Sequence, residues 1–520
     1  MTKEHLDGPA LHPVTEHSAS VGPGPKNPVI AHSILEKVGK LPGAFIAVAF
    51  VNFTVGALLG GLMALNPNWI SDILPIHVEL NPYGWLTMMI YGMTYAVLGL
   101  SAGLKPPFPV VGWIQLSAAE LGIAAITVAA GTHLGAVLRL GWVLQTLAPA
   151  LFMFNILSAV AAKRKKQAAN EAGASGEVSD AANPVEPESR RHSSQPHSSQ
   201  PHSSQPHSSQ PQSSLPQSSL PQSKEGLLPT TSGRAAWVLN PAQTVLQRLF
   251  GPSRAAAETD KVAQRGTDIS LMLFLAGVFI ALSNVFDSTL NFPYSEPAAA
   301  TILVDYGWIA GTVLSVALHL YPRLAGFSVS SRTQAQIGQG LWLLGVVTAA
   351  LGVHFSNWAF DLGIRILGIA FIWTAGSFLW VMPRAFPSLS DPTGLLWWVG
   401  WGFALVLGVH LAMGLTPLSA LALHLLFLGW ITSLVYGIGY AFFPVLFGRR
   451  PASTLVPLLQ AAASTVGVIL MALSFGLLDA GAGSHWALPL LAIGGSLALL
   501  GAWAFLLQWP LAKKQPGALG

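Results

Sequence analysis

The chain has 520 residues, 52% of them hydrophobic and 9% charged, with 26 Lys and Arg against 22 Asp and Glu. That charge content is far below the roughly 25% of soluble domains. With no cysteine, disulfides, thiolate metal sites, iron–sulfur clusters and thiol redox chemistry are excluded.

The first segment, 1–42, is a polar tail of mixed charge without the pattern of a cleavable signal. Apolar stretches then recur, each long enough to cross a bilayer. Four occupy 43–162, at 43–66, 83–104, 110–130 and 134–162. Residues 163–267 break the pattern with HSSQP units from His192 to Pro211 followed by QSSLP units. Such Pro, Ser and Gln bias cannot build a core and predicts a disordered cytoplasmic linker. Its His192, His197, His202 and His207 are either a loose metal tract or a tandem expansion without function. A short amphipathic stretch near 236–251 is predicted to lie on the inner membrane surface.

Eight further spans fill 268–508, at 268–286, 298–321, 337–356, 361–382, 396–414, 418–444, 455–477 and 485–508, and 509–520 forms the tail. Backbone polar groups in lipid must be satisfied within the segment, so the spans are helices. The expected fold is an all-α integral membrane protein, a bundle of twelve transmembrane helices. Loops 67–82, 131–133, 287–297, 357–360, 415–417 and 478–484 hold no Lys or Arg, whereas the alternate ones hold the basic residues. Positive residues favour the cytoplasmic side, which gives N-in, C-in topology in a bacterial-type cytoplasmic membrane.

One motif occurs twice. Residues 84–95 are GWLTMMIYGMTY and residues 429–440 are GWITSLVYGIGY. His77 stands upstream of the first copy and His424 upstream of the second. An imidazole near one end of a membrane helix is an axial-ligand position for haem, and two such ligands close both faces of the iron. Both helices enter from the same side, which lets the two histidines meet at one depth. The spacings differ by two residues, a rotation of about 200° in a continuous helix. Pro75 and Pro82 predict an irregular start to the second helix, with His77 reaching inward from it.

Other candidates follow from cost. Arg139 and Arg365 are intramembrane cations, suited either to clamp haem propionates or to pair with Glu120 or Asp361. Glu120 itself is a proton-relay candidate, or a partner of Arg139, Gln115 or Gln145. His354 and His410, at outer helix ends, are weaker metal candidates. His133 and His485 suit the interface, and His319 a structural role. No phosphate loop, dinucleotide fingerprint, hydrolase nucleophile or basic nucleic-acid groove is present.

The string ALHLLFLGWITSLVYGIGYAFFPVLFGRR resembles the tenth helix of haem–copper oxidase subunit I, in the cbb-type and nitric-oxide-reductase branch. LPIHVELNPYGWLTMMIYGMTYAV resembles the second helix of that superfamily, and VDYGWIAGTVLSVALHLYPRLAG the sixth. The NnrS type of haem- and copper-containing membrane protein is a nearby variant. The resemblance implies that His424 and His77 bind a low-spin haem. The family's high-spin haem ligand corresponds to Ala422, and its second helix-2 His to Glu79. Where its copper His follows Tyr-Gly, here Trp308 follows Tyr306 and Gly307, and of its outer His-His pair only His354 remains. Copper needs about three imidazoles in such a site, so a degenerate binuclear centre is expected. The function implied is electron transfer, or respiration linked to nitric oxide or oxygen, with a quinol or cytochrome donor. The alternatives are a cofactor-free transporter and a structural membrane subunit.

Overall fold

The computed structural model of the chain describes residues 39–101, 108–177, 253, 255–287, 296–386, 390–447, 449–451, 453–481 and 484–514. Most of the linker, with its histidine repeat and the stretch at 236–251, lies outside the described residues.

The described chain is helical, apart from one two-residue strand pair. The helices are α1 (Lys40–Leu65), α2 (Ile70–Glu79, Leu80–Thr87 and Met88–Ser101 in succession), α3 (Pro109–Thr132) and α4 (Gly135–Glu177). After the linker come α5 (Asp260–Val285), α6 (Ala298–Thr301, Ile302–Ile309 and Ala310–Ala325), α7 (Arg332–Phe355) and α8 (Asn357–Ala385). The last group is α9 (Pro392–Ala412), α10 (Ala420–His424, Leu425–Thr432 and Ser433–Phe447), α11 (Leu455–Asp479) and α12 (Ser484–Leu511). Among the described residues, eleven helices are long and apolar enough to cross a membrane. The chain is thus an integral membrane protein. The expected span 83–104 falls on α2, which is not one of the eleven. Two boundaries differ from expectation. α4 continues through the basic run at 163–166 to Glu177, and α5 already starts at Asp260. Hydropathy ends a span where polar residues begin, but Lys, Arg, Gln, Ala and Glu are good helix formers and carry the helix onward.

Local chemistry sets the ends. Ser331 caps α7 through a reciprocal pair in which Gln334 N donates to Ser331 Oγ at 3.2 Å and Ser331 N to Gln334 Oε1 at 3.0 Å. Asp391 accepts from Thr393 N and Gly394 N at the start of α9, with Pro392 in the first turn, where its missing N–H costs nothing.

Helix pairs pack sequentially: α3 on α4, α7 on α8, α8 on α9, and α11 on α12, which in turn packs on α1. Small residues make the closest of these approaches. A Cβ at Gly363 would lie 2.2 Å from Ala349 N, and one at Gly368 2.2 Å from Ala412 N. Lipid supplies no hydrophobic drive between helices, so such close packing is what holds them together. α6 and α10 are the inner helices: their apolar windows are 83% and 61% buried, against 33–50% for the other spans.

α2, α6 and α10 share a feature that hydropathy does not show. Each opens with a few α-helical residues and then widens into an eight-residue π-helix, LNPYGWLT, ILVDYGWI and LLFLGWIT. Every one of these segments contains a Gly-Trp pair, and Trp85, Trp308 and Trp430 are each at most 1% exposed. π-turns are uncommon and concentrate at functional sites. Pro82 lacks an N–H and removes one rung of the ladder in α2. The segments in α6 and α10 contain no proline. The widened turns of α2 and α6 contact each other, and α6 contacts that of α10.

At the opposite end of α6, Arg323 grips Asp260 with two bonds, Nη1 to Oδ1 at 2.6 Å and Nη2 to Oδ2 at 2.7 Å. His319 Nδ1 lies 2.9 Å from the same Oδ1. His319 is therefore part of a structural clasp that fastens the start of α5 to α6. The Arg323 side chain is 6% exposed and that of Asp260 31%. Asp260→Ala leaves a buried guanidinium without its carboxylate, and is expected to destabilise the protein by about 1–3 kcal/mol after allowance for screening. Thermal unfolding in detergent, with the exposed neighbour substitution Lys261→Ala as a near-neutral control, checks this.

Candidate functional site

The two histidines upstream of the repeated motif stand on the α-helical openings of α2 and α10, His77 three residues before the π-segment and His424 immediately before it. His77 is thus in regular helix. The expected irregular start is absent, because Pro75 is accommodated within the Ile70–Glu79 turns. Each histidine of the repeat thus stands on the α-helical opening of its helix, upstream of the Gly-Trp segment.

Their hydrogen bonds fix which nitrogen faces outward. His77 Nδ1 lies 2.9 Å from Gly56 O on α1, and His424 Nδ1 lies 2.7 Å from Ala420 O. A carbonyl only accepts, so each Nδ1 carries the proton and each Nε2 keeps its lone pair. At His77 that lone pair meets the Asn81 amide, 3.2 Å away, and Asn81 also donates to His77 O at 2.8 Å. This is the tautomer that metal-ligating histidines adopt, with the far ring nitrogen donating to a carbonyl. α1 presents a flat surface here: a Cβ at Gly60 would lie 2.9 Å from His77 Cε1. The His424 ring packs on Phe475 of α11 at 4.8 Å between centroids. Imidazoles with Nδ1 turned to a carbonyl are the donor type that holds a haem iron, and His77 would exchange its Asn81 contact for the metal.

The remaining sequence candidates go elsewhere. Arg139 Nε donates to Val285 O at 3.0 Å, and its guanidinium lies 5.9 Å from the centroid of the Phe286 ring. Arg365 Nη1 donates to Ala412 O at 3.1 Å. Both acceptors are last-turn carbonyls, so both arginines cap helix C-termini, where a cation also complements the helix dipole. Glu120 pairs with neither Arg139, Gln115 nor Gln145, but accepts from Asn52 Nδ2 at 2.8 Å. Asn52 also donates to Gly84 O at 3.1 Å and so ties α1 to the Gly-Trp turn of α2. His354 is exposed, and His410 is buried with Nε2 3.2 Å from Thr416 O. Among the described residues no three His, Asp or Glu side chains converge to hold a metal ion.

Around the Gly-Trp segments the interior is packed with rings. Trp308 stacks on Phe274 at 5.0 Å, Trp401 on Phe378 at 4.0 Å, and Trp430 meets Phe371 edge-on at 5.1 Å. Trp308 Nε1 donates to Thr87 Oγ1 at 3.0 Å, and Tyr306 OH to Pro417 O at 2.7 Å. Ala422 is fully buried.

A carboxyl cluster escaped the sequence reading. Glu79 and Asp305 are 5% and 3% exposed, and both interact with Glu296. Tyr83 joins them electrostatically, and Glu79 Oε2 has no hydrogen-bond partner. The available signal was Asp305, an acid inside an apolar span. Burial pushes the Glu296 carboxyl up to about 7 from its ordinary 4.5. The folded state therefore holds this proton more tightly than the unfolded chain does. The stability it contributes is complete below pH 4.5 and is lost as pH rises through about 7. Thermal midpoints across that range are expected to fall by the equivalent of about 1–2 kcal/mol, and Glu296→Gln should flatten the curve.

A scan against protein-family profiles and a search of curated proteins found no match. Among solved structures, the cryo-EM structure of a heme-copper terminal oxidase dimer superposes with a TM-score of 0.53 at 14% identity, over 94% of this chain and 84% of that one. At that identity the likeness is one of fold: the bundle of this membrane protein is similar to that of a heme-copper terminal oxidase.

Proposed function

We propose that this chain is a divergent oxidase subunit I-like protein of a bacterial cytoplasmic membrane, with twelve spans and both termini inside. It binds one low-spin haem between His77 and His424. The observation that carries this reading is that both imidazoles of the repeat turn Nδ1 to a carbonyl, so that Nε2 is the metal-facing nitrogen, at His77 in exchange for its Asn81 contact. His77 and His424 would hold the haem, which when bound would supply one-electron transfer. The residues around it do the rest. Gly56 O and Ala420 O orient the two rings, Gly60 keeps the α1 face flat, and Phe475 backs His424.

The oxygen- or nitric-oxide-reducing centre is degenerate in this reading. Ala422 offers no ligand, and Trp308 follows Tyr306-Gly307 where the family has its copper histidine. Among the described residues no three side chains converge as a donor set for copper. The protein then relays electrons from a quinol or cytochrome donor rather than reducing a gas. Carbon monoxide tests this directly. The reduced protein is expected to show no change in its visible spectrum on adding the gas. A carbon monoxide difference spectrum of about one equivalent per chain would contradict the degenerate centre.

A further inference from the structure

Asn81 lies four residues beyond His77, at the start of the π-segment of α2. Its Nδ2 donates to His77 O at 2.8 Å and lies 3.2 Å from His77 Nε2. Gly56 O, 2.9 Å from Nδ1, fixes the ring proton on that nitrogen. Asn81 therefore donates to Nε2 rather than accepting from it. The nitrogen that an iron would use is already engaged by an amide of the same chain. The arrangement belongs to one copy of the repeat only, because four residues beyond His424 stands Leu428, which has no donor.

The surroundings hold that amide in place. Gly56 and Gly60 stand one turn apart on α1 and face His77 and Asn81. A Cβ at Gly56 would lie 3.1 Å from Asn81 Oδ1, and one at Gly60 2.9 Å from His77 Cε1. The two glycines thus make a slot in which the amide and the imidazole lie side by side. Asn81 does not depend on Nε2 alone. Its bond to His77 O remains when Nε2 is withdrawn, so release leaves no orphaned amide. A contact that can be given up for the loss of one hydrogen bond suits a removable guard better than a strut. We propose that Asn81 is a placeholder for the iron at His77. In the haem-free chain it positions the imidazole in its slot, and it competes with haem for Nε2. It therefore stabilises the empty site and lowers the affinity for haem. This inference rests on the reading of His77 as a haem ligand.

Haem is titrated into the haem-free full-length protein in detergent and into Asn81→Leu, which is close in size and has no donor. The visible spectrum reports binding, and the thermal midpoint is read without haem. Asn81→Leu is expected to bind haem about fivefold more tightly, the equivalent of about 1 kcal/mol, while its haem-free midpoint falls. A residue that only packs would lower the midpoint without raising the affinity. Wild type that binds haem beside a folded variant that binds it no more tightly would overturn the role of Asn81 alone. Wild type that takes up no haem would overturn the haem reading and this inference with it. If Asn81→Leu does not fold, nitrogen NMR of the haem-free wild type, isotope-labelled at histidine, decides the matter, with His77→Gln assigning the signal. An unprotonated, hydrogen-bonded Nε2 is expected at His77, and a protonated Nε2 would contradict the placeholder.

Discussion

Replacing His424 with alanine is expected to abolish the low-spin spectrum of the protein while leaving the fold standing. The side chain makes one hydrogen bond, to Ala420 O within its own helix, and one ring contact, with Phe475. Neither joins helices strongly, so the cost in stability should stay near the 1 kcal/mol typical of point substitutions. Its cost to an iron centre is categorical, because an axial ligand is gone. Haem then either fails to assemble or becomes five-coordinate and opens to carbon monoxide. The measurement is a reduced-minus-oxidised spectrum of the variant beside its thermal midpoint. A retained sharp α-band would remove His424 from the ligand set.

The second large effect concerns assembly alone. Gly363→Val places a Cβ about where Ala349 N now sits, 2.2 Å away, and the obstacle is backbone rather than a movable side chain. α7 and α8 must separate, which forfeits the contact that substitutes for a hydrophobic drive in lipid. The expected loss is about 3 kcal/mol or more, at or beyond the upper end of overpacking costs, and the protein should run as an aggregate or unfold many degrees earlier. Gly340→Ala and Gly376→Ala are the controls. A Cβ at either position meets nothing within 4 Å, and both variants should behave as wild type. Thermal unfolding in detergent of all three variants reads the difference.

Much of the fold was legible because a bilayer leaves few choices. Long apolar stretches in lipid must be helical, and eleven of the expected spans fall on helices of sufficient length and apolarity. Boundaries were less legible where a helix outruns its apolar stretch, as α4 does to Glu177. The π-segments were hidden because hydropathy averages over the turns they widen. Gly-Trp occurs six times in the sequence and only three of these lie in π-segments, so the dipeptide alone did not mark them, although the copies at 84–85 and 429–430 share a longer motif. The repeat also marked His77 and His424, which stand on the openings of α2 and α10. The roles of Arg139 and Arg365 were not legible. Nothing in a linear sequence says that the carbonyls of Val285 and Ala412 will end their helices beside those guanidinium groups. The Glu79, Glu296 and Asp305 cluster was hidden for the same reason, since its members come from α2, the approach to α6 and α6 itself.

The central claim is that His77 and His424 hold a haem, and haem content answers it. The wild-type protein, expressed with ample haem and purified in mild detergent, is assayed by pyridine haemochrome together with its reduced-minus-oxidised visible spectrum. The account predicts about one haem per chain and a sharp low-spin α-band. A colourless protein, folded by its thermal transition, would contradict it and leave an oxidase-like bundle that serves as a cofactor-free transporter or a structural subunit.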